Sequence, residues 1–551
     1  MKKAIIPFMI LPFFLFGCGK NKDIYASSKN TIYSFELDGN DAIITGLNKN
    51  YKNQTDIIIP YSIDKHVVKR IENHSFEDVY RIRNIDMTKS KLTEIGEYAF
   101  KKCSNLEGIK YTDTITKIEN NAFEECEKLV TMDLSTCSLE TISDGLFTKC
   151  SSLTGVTFPS NVKKIGSNIF SGCSSMTAIN LSSYNIEEIG DYAFYELENL
   201  KDVTLSKTTK KIGNYAFANN NKIQFMDLKD TEIEEIGEGA FSSCKILANI
   251  NLPNSLKTLG KKCFYYCSKL SKISLIKTQL EEIPESCFEL CRVFDSITLP
   301  KIKTISSRAF YNSSLRIIEL PKEVTSIADD AFRLCNKLES IGVDEANTSF
   351  VVQNNALYTF DKTKLLVYPA ACKETSFTIS PNTTTINDYA FSDATSLKTV
   401  DLTPATISEI PSYCFMNCTS LTQVSHYNNP ELGVKKIGVK AFFGCTSLTS
   451  FDGQHSITEI GESAFYDCIS LTEVLLNEST ALTLIDVEAF YNCNKLKTLY
   501  LPGAINKVGR AAFFNCVNVE NFSFGANKTA FEELLKRSPD SGLDQFKDFI
   551  N

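Results

Sequence analysis

One motif, I-x-x-I-G-x-x-A-F-x-x-C-x-x-L-x-x-I-x-L, often followed by Pro, recurs along most of this 551-residue chain. Such a period restricts the chain to an architecture of stacked, near-identical units. The phenylalanine is the best ruler. It falls at Phe76, Phe100, Phe123, Phe147, Phe170, Phe194, Phe217, Phe241, Phe264, Phe288, Phe310 and Phe332, then at Phe391, Phe415, Phe442, Phe465, Phe490 and Phe513. These eighteen copies are spaced by 22 to 27 residues, except for the 59 between Phe332 and Phe391. Length alone would suggest three or four globular domains. The repeat replaces that expectation, and a 43% hydrophobic composition supplies enough apolar material for a continuous core.

Each copy reads as one turn of a coil. The stretch after the cysteine, as in Leu247-Ala248-Asn249-Ile250-Asn251-Leu252-Pro253, alternates apolar and polar residues and marks a short strand with an inward apolar face. Pro253, like Pro159, Pro300, Pro321 and Pro502, closes the strand where no ladder hydrogen bond need be donated. A second short extended segment carries I-x-x-I-G. The A-F-x-x-C piece suits a helical or 3-10 turn that drives Phe inward. One such turn cannot bury its own apolar side, whereas stacked turns about 4.8 Å apart can, giving a curved rod on the order of 85 Å.

Most of the 19 cysteines sit on this ruler. Thirteen lie three residues after the Phe, from Cys103 to Cys516, and Cys263, Cys287 and Cys414 replace the Ala before it. Leu197, Asn220, Ser313 and Ala394 stand in for the thiol elsewhere, so the position reads as a small buried side chain needing no partner thiol. Disulfide or metal pairing is the sharper alternative, because stacking brings successive cysteines close.

The repeat, from about Ile71 to Phe524, resembles the BspA-like type of leucine-rich repeat. The resemblance implies a repeat solenoid, mostly β with short helical or 3-10 turns, forming a right-handed curved rod with a β N-cap and a helical C-cap. On this reading, residues 31–70 are the N-terminal cap. The array runs over 71–340 and 381–525, and 341–380 hold a β-hairpin insertion projecting from the rod. Residues 526–551 close the last coil, with Thr529-Ala530-Phe531-Glu532 at capping-box spacing. The resemblance also implies a bacterial surface protein that attaches to host matrix proteins.

Lys2 and Lys3 precede an apolar run from Ala4 to Phe16 that is too short to span a bilayer stably. Leu15-Phe16-Gly17-Cys18 resembles a bacterial lipoprotein signal. It implies removal of residues 1–17, a lipid on Cys18 as the membrane attachment, and residues 18–30 as a polar tether, which places the protein extracytoplasmically, at the cell surface.

The chain offers no catalytic, cofactor or metal constellation. Its four histidines, His66, His74, His426 and His455, are scattered, and no H-E-x-x-H, phosphate loop or nucleophile elbow occurs. A net charge of -8 argues against nucleic acid as a partner. Binding is the function class that remains, with an extracellular protein or glycan as ligand. Between the two apolar residues of each I-x-L the exposed residue is polar, as in Lys110, Asp133, Thr157 and Asn180, and this face has no aromatic hot spot. Towards the C-terminus Leu475 and Tyr500 occupy that place, and Phe443, Tyr466, Tyr491 and Phe514 follow the motif Phe in four successive copies. Those six residues form the candidate ligand stripe, with ordinary packing on the turn flank as the alternative. The expected role is adhesion. A glycan- or peptide-capture module serving uptake machinery, or a spacer without ligand, would use the same scaffold.

Overall fold

The computed structural model describes residues 25–426, 433–453 and 456–550. Cys18 and the expected signal segment lie outside the described residues. The chain divides into two compact units, Met1–Asn161 and Val162–Asn551, and both are β-solenoids made from the same coil. The coils contribute two very short strands each, and most of these pair in parallel with the counterpart in a neighbouring coil. In the first unit Asp56–Ile58, Asn84–Asp86 and Gly108–Lys110 form one ladder, while His66–Ile71, Glu94–Ile95 and Lys117–Ile118 belong to the other. The alternation in Thr131-Met132-Asp133, exposed-buried-exposed, is why three residues suffice: the middle side chain enters the core and the flanking pair stays wet.

At the start of the first unit, Tyr33–Asp38 and Asp41–Leu47 make an antiparallel hairpin. The second of these strands runs parallel to His66–Ile71, which in turn pairs with Glu94–Ile95. The first coil's apolar face is thereby covered by paired backbone.

The coil interior is a column of rings. Phe76, Phe100 and Phe123 stack at centroid distances of 5.1 and 5.4 Å, within 1° of parallel. In the second unit Phe194 to Phe217 is 5.0 Å, Phe217 to Phe241 5.6 Å and Phe465 to Phe490 4.9 Å. The spacing follows from the strand separation, since each ring is carried at the same point of successive coils.

The A-F-x-x-C segment corrects the expectation of a helical or 3-10 turn. Along it, alternate N–H groups point in different directions. Tyr98, Phe100 and Lys102 donate to Asn120, Ala122 and Glu124 of the next coil at 2.8–3.2 Å, while Ala99, Lys101 and Cys103 donate three residues back within their own coil. Tyr98 and Lys102 are left-handed, at φ +54° and +58°. A helix would use every donor internally, but here the neighbouring coil takes half of them, and the backbone turns left-handed at two of the three residues that donate to it. The same two positions recur as Asn121, Asn168, Asn219, Asn417, Gly145, Gly239 and Gly444, types that tolerate this conformation. Close approach of coils also explains the motif glycine: a Cβ on Gly260 would stand 2.2 Å from the Glu238 backbone nitrogen.

All eighteen cysteines among the described residues are buried, and none is in a disulfide. The thiols three residues after the motif Phe donate to the Phe carbonyl of the preceding coil, as from Cys103 to Phe76 at 3.3 Å, Cys267 to Phe241 at 3.1 Å and Cys493 to Phe465 at 3.2 Å. Asn220, standing in for the thiol, makes the same contact: its Nδ2 donates to the carbonyls of Phe194 and Phe217 at 2.8 and 2.7 Å. Leu197 and Ala394 fill the same position without a donor, so it accepts a small buried side chain and, where Cys or Asn stands there, adds a hydrogen bond to the coil before. Burial pushes these thiols well up, to about 12 for Cys244 and Cys516 and about 11 for Cys335.

The insertion does not project as expected. Phe350–Gln353, Ala356–Thr359 and Lys364–Val367 form an antiparallel meander, and the last strand joins Thr385–Ile386 of the following coil in parallel. Leu357, Tyr358 and Leu365 are fully buried, so the meander is stitched into the wall. At the far end, helix Lys528–Arg537 is capped by Asn527, whose side chain accepts from the Ala530 N–H at 3.0 Å, two residues before the Thr529 that sequence spacing suggested. Phe531 and Leu534 from this helix, with Leu543 and Phe546 from the 3-10 segment Leu543–Phe549, pack on Phe522, Phe524 and Phe513.

Candidate functional site

The exchange of hydrogen bonds in each turn fixes where its outer side chains stand. The residues two before and one after the motif Phe are neighbours on the outside of one coil: Lys101 lies over the Tyr98 ring at 4.6 Å, Arg308 over Tyr311 at 4.2 Å and Lys440 over Phe443 at 5.7 Å. Between coils each position stacks on its own kind. The turn flank thus carries two parallel columns, and chemistry is written on it by what occupies them.

Four of the six candidate stripe residues fill one column completely. Phe443 stacks on Tyr466 at 5.0 Å, Tyr466 on Tyr491 at 4.6 Å and Tyr491 on Phe514 at 5.0 Å, with interplanar angles of 3–19°. Phe443, Tyr466 and Tyr491 are half-buried by one another, and Phe514, at the end, is 55% exposed. Because inner rings cover each other's faces, the column presents ring edges and two phenol hydroxyls. Burial in the stack, the Asp467 carboxylate and its ring neighbour Tyr491 push the Tyr466 phenol above its ordinary value. Beside the column, Asp467 accepts from Asn492 Nδ2 at 2.7 Å, which fixes the flanking polar groups.

Leu475 and Tyr500 stand apart from that column. They occupy adjacent rungs of the strand ladder, in register Asp452, Leu475, Tyr500 and Ser523, on a different segment of the coil. The six residues are two patches. The strand face elsewhere is polar and exposed at Lys110, Asp133, Asn180 and Asn251, as the sequence indicates, but it is not free of aromatics: Phe225 is 48% exposed one rung from Asn249.

Sequence reading missed the second column. Two residues before the motif Phe, Tyr192 stacks on Tyr215 at 5.2 Å and Tyr389 on Tyr413 at 4.4 Å. The guanidinium of Arg333 lies 3.7 Å from the Tyr389 ring centroid and 5.6 Å from that of Tyr311. Its signal in the sequence is Tyr two places before the motif Phe in neighbouring copies, as at Tyr192 and Tyr215 or Tyr389 and Tyr413. Among the described residues no cluster of His, Cys, Asp or Glu is placed to hold a metal ion, and no helix is long and apolar enough to cross a membrane.

The family model described as "BspA type Leucine rich repeat region (6 copies)" matches residues 69–201, 166–279, 274–374, 367–430 and 408–535. Among solved structures, a leucine rich cell surface protein from Faecalibacterium prausnitzii is 20% identical, with 93% of this chain and 98% of that one covered and a TM-score of 0.38. A leucine-rich repeat protein from Bacteroides ovatus is 21% identical, covering 89% and 97% with a TM-score of 0.36. The T. pallidum leucine rich repeat protein is 24% identical over 35% of this chain and 88% of its own, with a TM-score of 0.31. No curated protein matches the chain.

Proposed function

We infer that this chain, which belongs to the BspA-type leucine-rich repeat family, is an extracellular protein-binding surface, anchored by a lipid on Cys18 and used for adhesion to host or bacterial-surface macromolecules. The observation that carries the reading is the four-ring column of Phe443, Tyr466, Tyr491 and Phe514. Rigid aromatic side chains, already stacked, lose little conformational entropy on docking, and Tyr is enriched among residues that dominate protein interfaces. The geometry favours protein over glycan. A sugar ring stacks on an open aromatic face, and here the inner faces are taken by neighbouring rings, leaving edges that suit side chains of a partner. The lipoprotein-type leader supports a place outside the cytoplasm, and the scaffold offers binding in preference to catalysis.

The test is binding of the soluble chain from Lys20 onward to immobilised matrix proteins such as fibronectin, laminin and collagen, measured by biolayer interferometry, alongside a glycan array. Changing Phe443, Tyr466, Tyr491 and Phe514 together to Ser is expected to weaken protein binding by about 100-fold or more, since loss of two or more hot-spot rings removes about 3 kcal/mol. Unchanged circular dichroism would show that the coil persists. Unaltered affinity of the quadruple variant would remove the column from the account. Binding to glycans alone would favour a capture module, and binding to nothing would favour a spacer.

A further inference from the structure

Successive coils of the array are of two kinds. From Phe76 to Phe288 the motif phenylalanines are spaced 24 and 23 residues apart in strict alternation. The extra residue lies in the connection between the two strands of a coil. Ile189 follows Ile179 by ten residues, Ile212 follows Val203 by nine, Ile236 follows Met226 by ten and Leu259 follows Ile250 by nine. Charge alternates in step with length. The two positions before that second-strand residue read Glu187-Glu188 in a long coil, Lys210-Lys211 in the next, short one, Glu234-Glu235 in the next long one, then Lys257-Thr258 and Glu281-Glu282.

Parallel pairing sets these side chains against one another, with Glu188 beside Lys211 and Lys211 beside Glu235. Ion pairs bridge the coils in both directions: Lys210 to Glu187 at 3.0 Å, Lys211 to Glu235 at 2.9 Å and Lys257 to Glu234 at 2.8 Å. Within the first unit Lys117 and Glu94, on adjacent rungs, repeat the contact at 3.5 Å. Uncharged contacts alternate too. From a long coil to the short one after it, a hydroxyl two residues ahead of the charged positions donates to the carbonyl just before the previous coil's pair: Thr208 to Ile186 at 3.2 Å, Ser255 to Ile233 at 2.8 Å and, in the first unit, Thr114 to Leu92 at 2.6 Å. From a short coil to a long one a backbone N–H does this instead, from Gln279 to the Leu256 carbonyl at 2.7 Å and from Ser138 to that of Ile115 at 2.9 Å.

Two chemically distinct interfaces therefore alternate along one array, over a phenylalanine column that is the same in every coil. Each exposed ion pair adds little to stability by itself. Its effect is on choice, because a coil set beside another of its own kind meets like charge and loses its hydroxyl contact. Near-identical cores make slipped pairing a characteristic failure of repeat proteins. We propose that the stacking unit of this array is a pair of coils, one long and acidic and one short and basic, and that the charged ladder with its hydroxyls is a register device: it rejects a neighbour displaced by one coil, which the aromatic core alone would accept. This inference is independent of what the protein binds.

Two deletions in the soluble chain from Lys20 onward test it, by urea unfolding followed by circular dichroism at 20 mM and at 1 M NaCl. Removing residues 218–241 takes out one long coil and sets Lys210-Lys211 beside Lys257-Thr258, whereas removing residues 218–264 takes out a long and a short coil and sets the lysines beside Glu281-Glu282. Both keep the phenylalanines in step. Coil number alone would make the larger deletion the weaker. The register device predicts the reverse at 20 mM NaCl: both unfold cooperatively, but the one-coil deletion has the lower midpoint, by roughly 0.2–0.5 M urea, and 1 M NaCl narrows the gap by about half or more as the like charges are screened. In the full-length array, Lys210→Glu with Lys211→Glu sets three acidic coils in succession. Its midpoint should lie below the parent's at 20 mM NaCl and recover towards it with salt, and Lys210→Gln with Lys211→Gln should show a smaller recovery. A one-coil deletion at least as stable as the two-coil deletion, or a glutamate variant that follows the parent at both salt concentrations, would overturn the proposal.

Discussion

Phe241→Ala is expected to cost about 3–5 kcal/mol of stability, as does removal of a fully enclosed ring that the surroundings cannot refill. Phe241 has no solvent exposure and stacks on Phe217 at 5.6 Å and Phe264 at 5.7 Å, so the loss is felt by three coils. The void is bordered by Cys244 and Cys263, both fixed by the backbone ladder. In a stack whose coils contact chiefly their neighbours, damage of this size is local before it is global. Hydrogen-exchange mass spectrometry should therefore show protection lost first around residues 217–264. Phe225→Ala, on the exposed strand face, should stay within about 0.5 kcal/mol of the parent by denaturant unfolding. Comparable costs for the two variants would contradict an interior built on the aromatic column.

Alkaline pH should unfold the protein steeply. The motif thiols are held protonated in the fold, because burial raises them above the ordinary thiol value; Cys244, Cys335 and Cys516 reach about 12, 11 and 12, and Cys126, Cys267, Cys468 and Cys493 are also raised. A group whose proton is held more tightly in the fold than in the unfolded chain contributes stability that is fully present below the unfolded value, about 8.5, and is lost as pH rises through it towards the folded value. At pH 10 each unfolded thiol gains about 2 kcal/mol by ionising, so a handful is enough to exceed a typical stability of 5–15 kcal/mol. Circular dichroism should be flat from about pH 6 to 8 and collapse between about pH 9 and 10.5, in step with thiolate absorbance at 240 nm. At pH 8 the native thiols should resist a disulfide reagent that modifies them at once in guanidinium. Normal titration of the thiols with structure retained would show that they are not in the core.

The repeat was legible because its chemistry is periodic. Ile, Phe and Leu at fixed offsets can bury their side chains only if copies stack, and the structure stacks them, so the solenoid and its strand ladders followed from spacing. Local backbone did not follow. Tyr98 and Lys102 carry positive φ although neither type prefers it, because the next coil supplies the hydrogen-bond acceptor that makes the conformation worthwhile. No single copy, read alone, contains that acceptor. Apolar runs around residues 356–367 gave the hairpin but not its pairing with Thr385–Ile386, which depends on a coil beyond it. On the turn flank, four aromatics in successive copies were visible as a column, whereas Arg333 and Tyr389, separated by the insertion, come together only in three dimensions.

The central claim is that coils are interchangeable layers, each completing its neighbour's core. Deleting residues 218–241 removes one coil and joins Phe217 to Ser242 in register. Denaturant unfolding followed by circular dichroism tests it directly. The one-coil deletion should retain a cooperative transition close to that of the parent, while a deletion of half a coil, residues 218–229, should abolish it. Equal tolerance of both deletions, or equal collapse, would contradict the layered architecture.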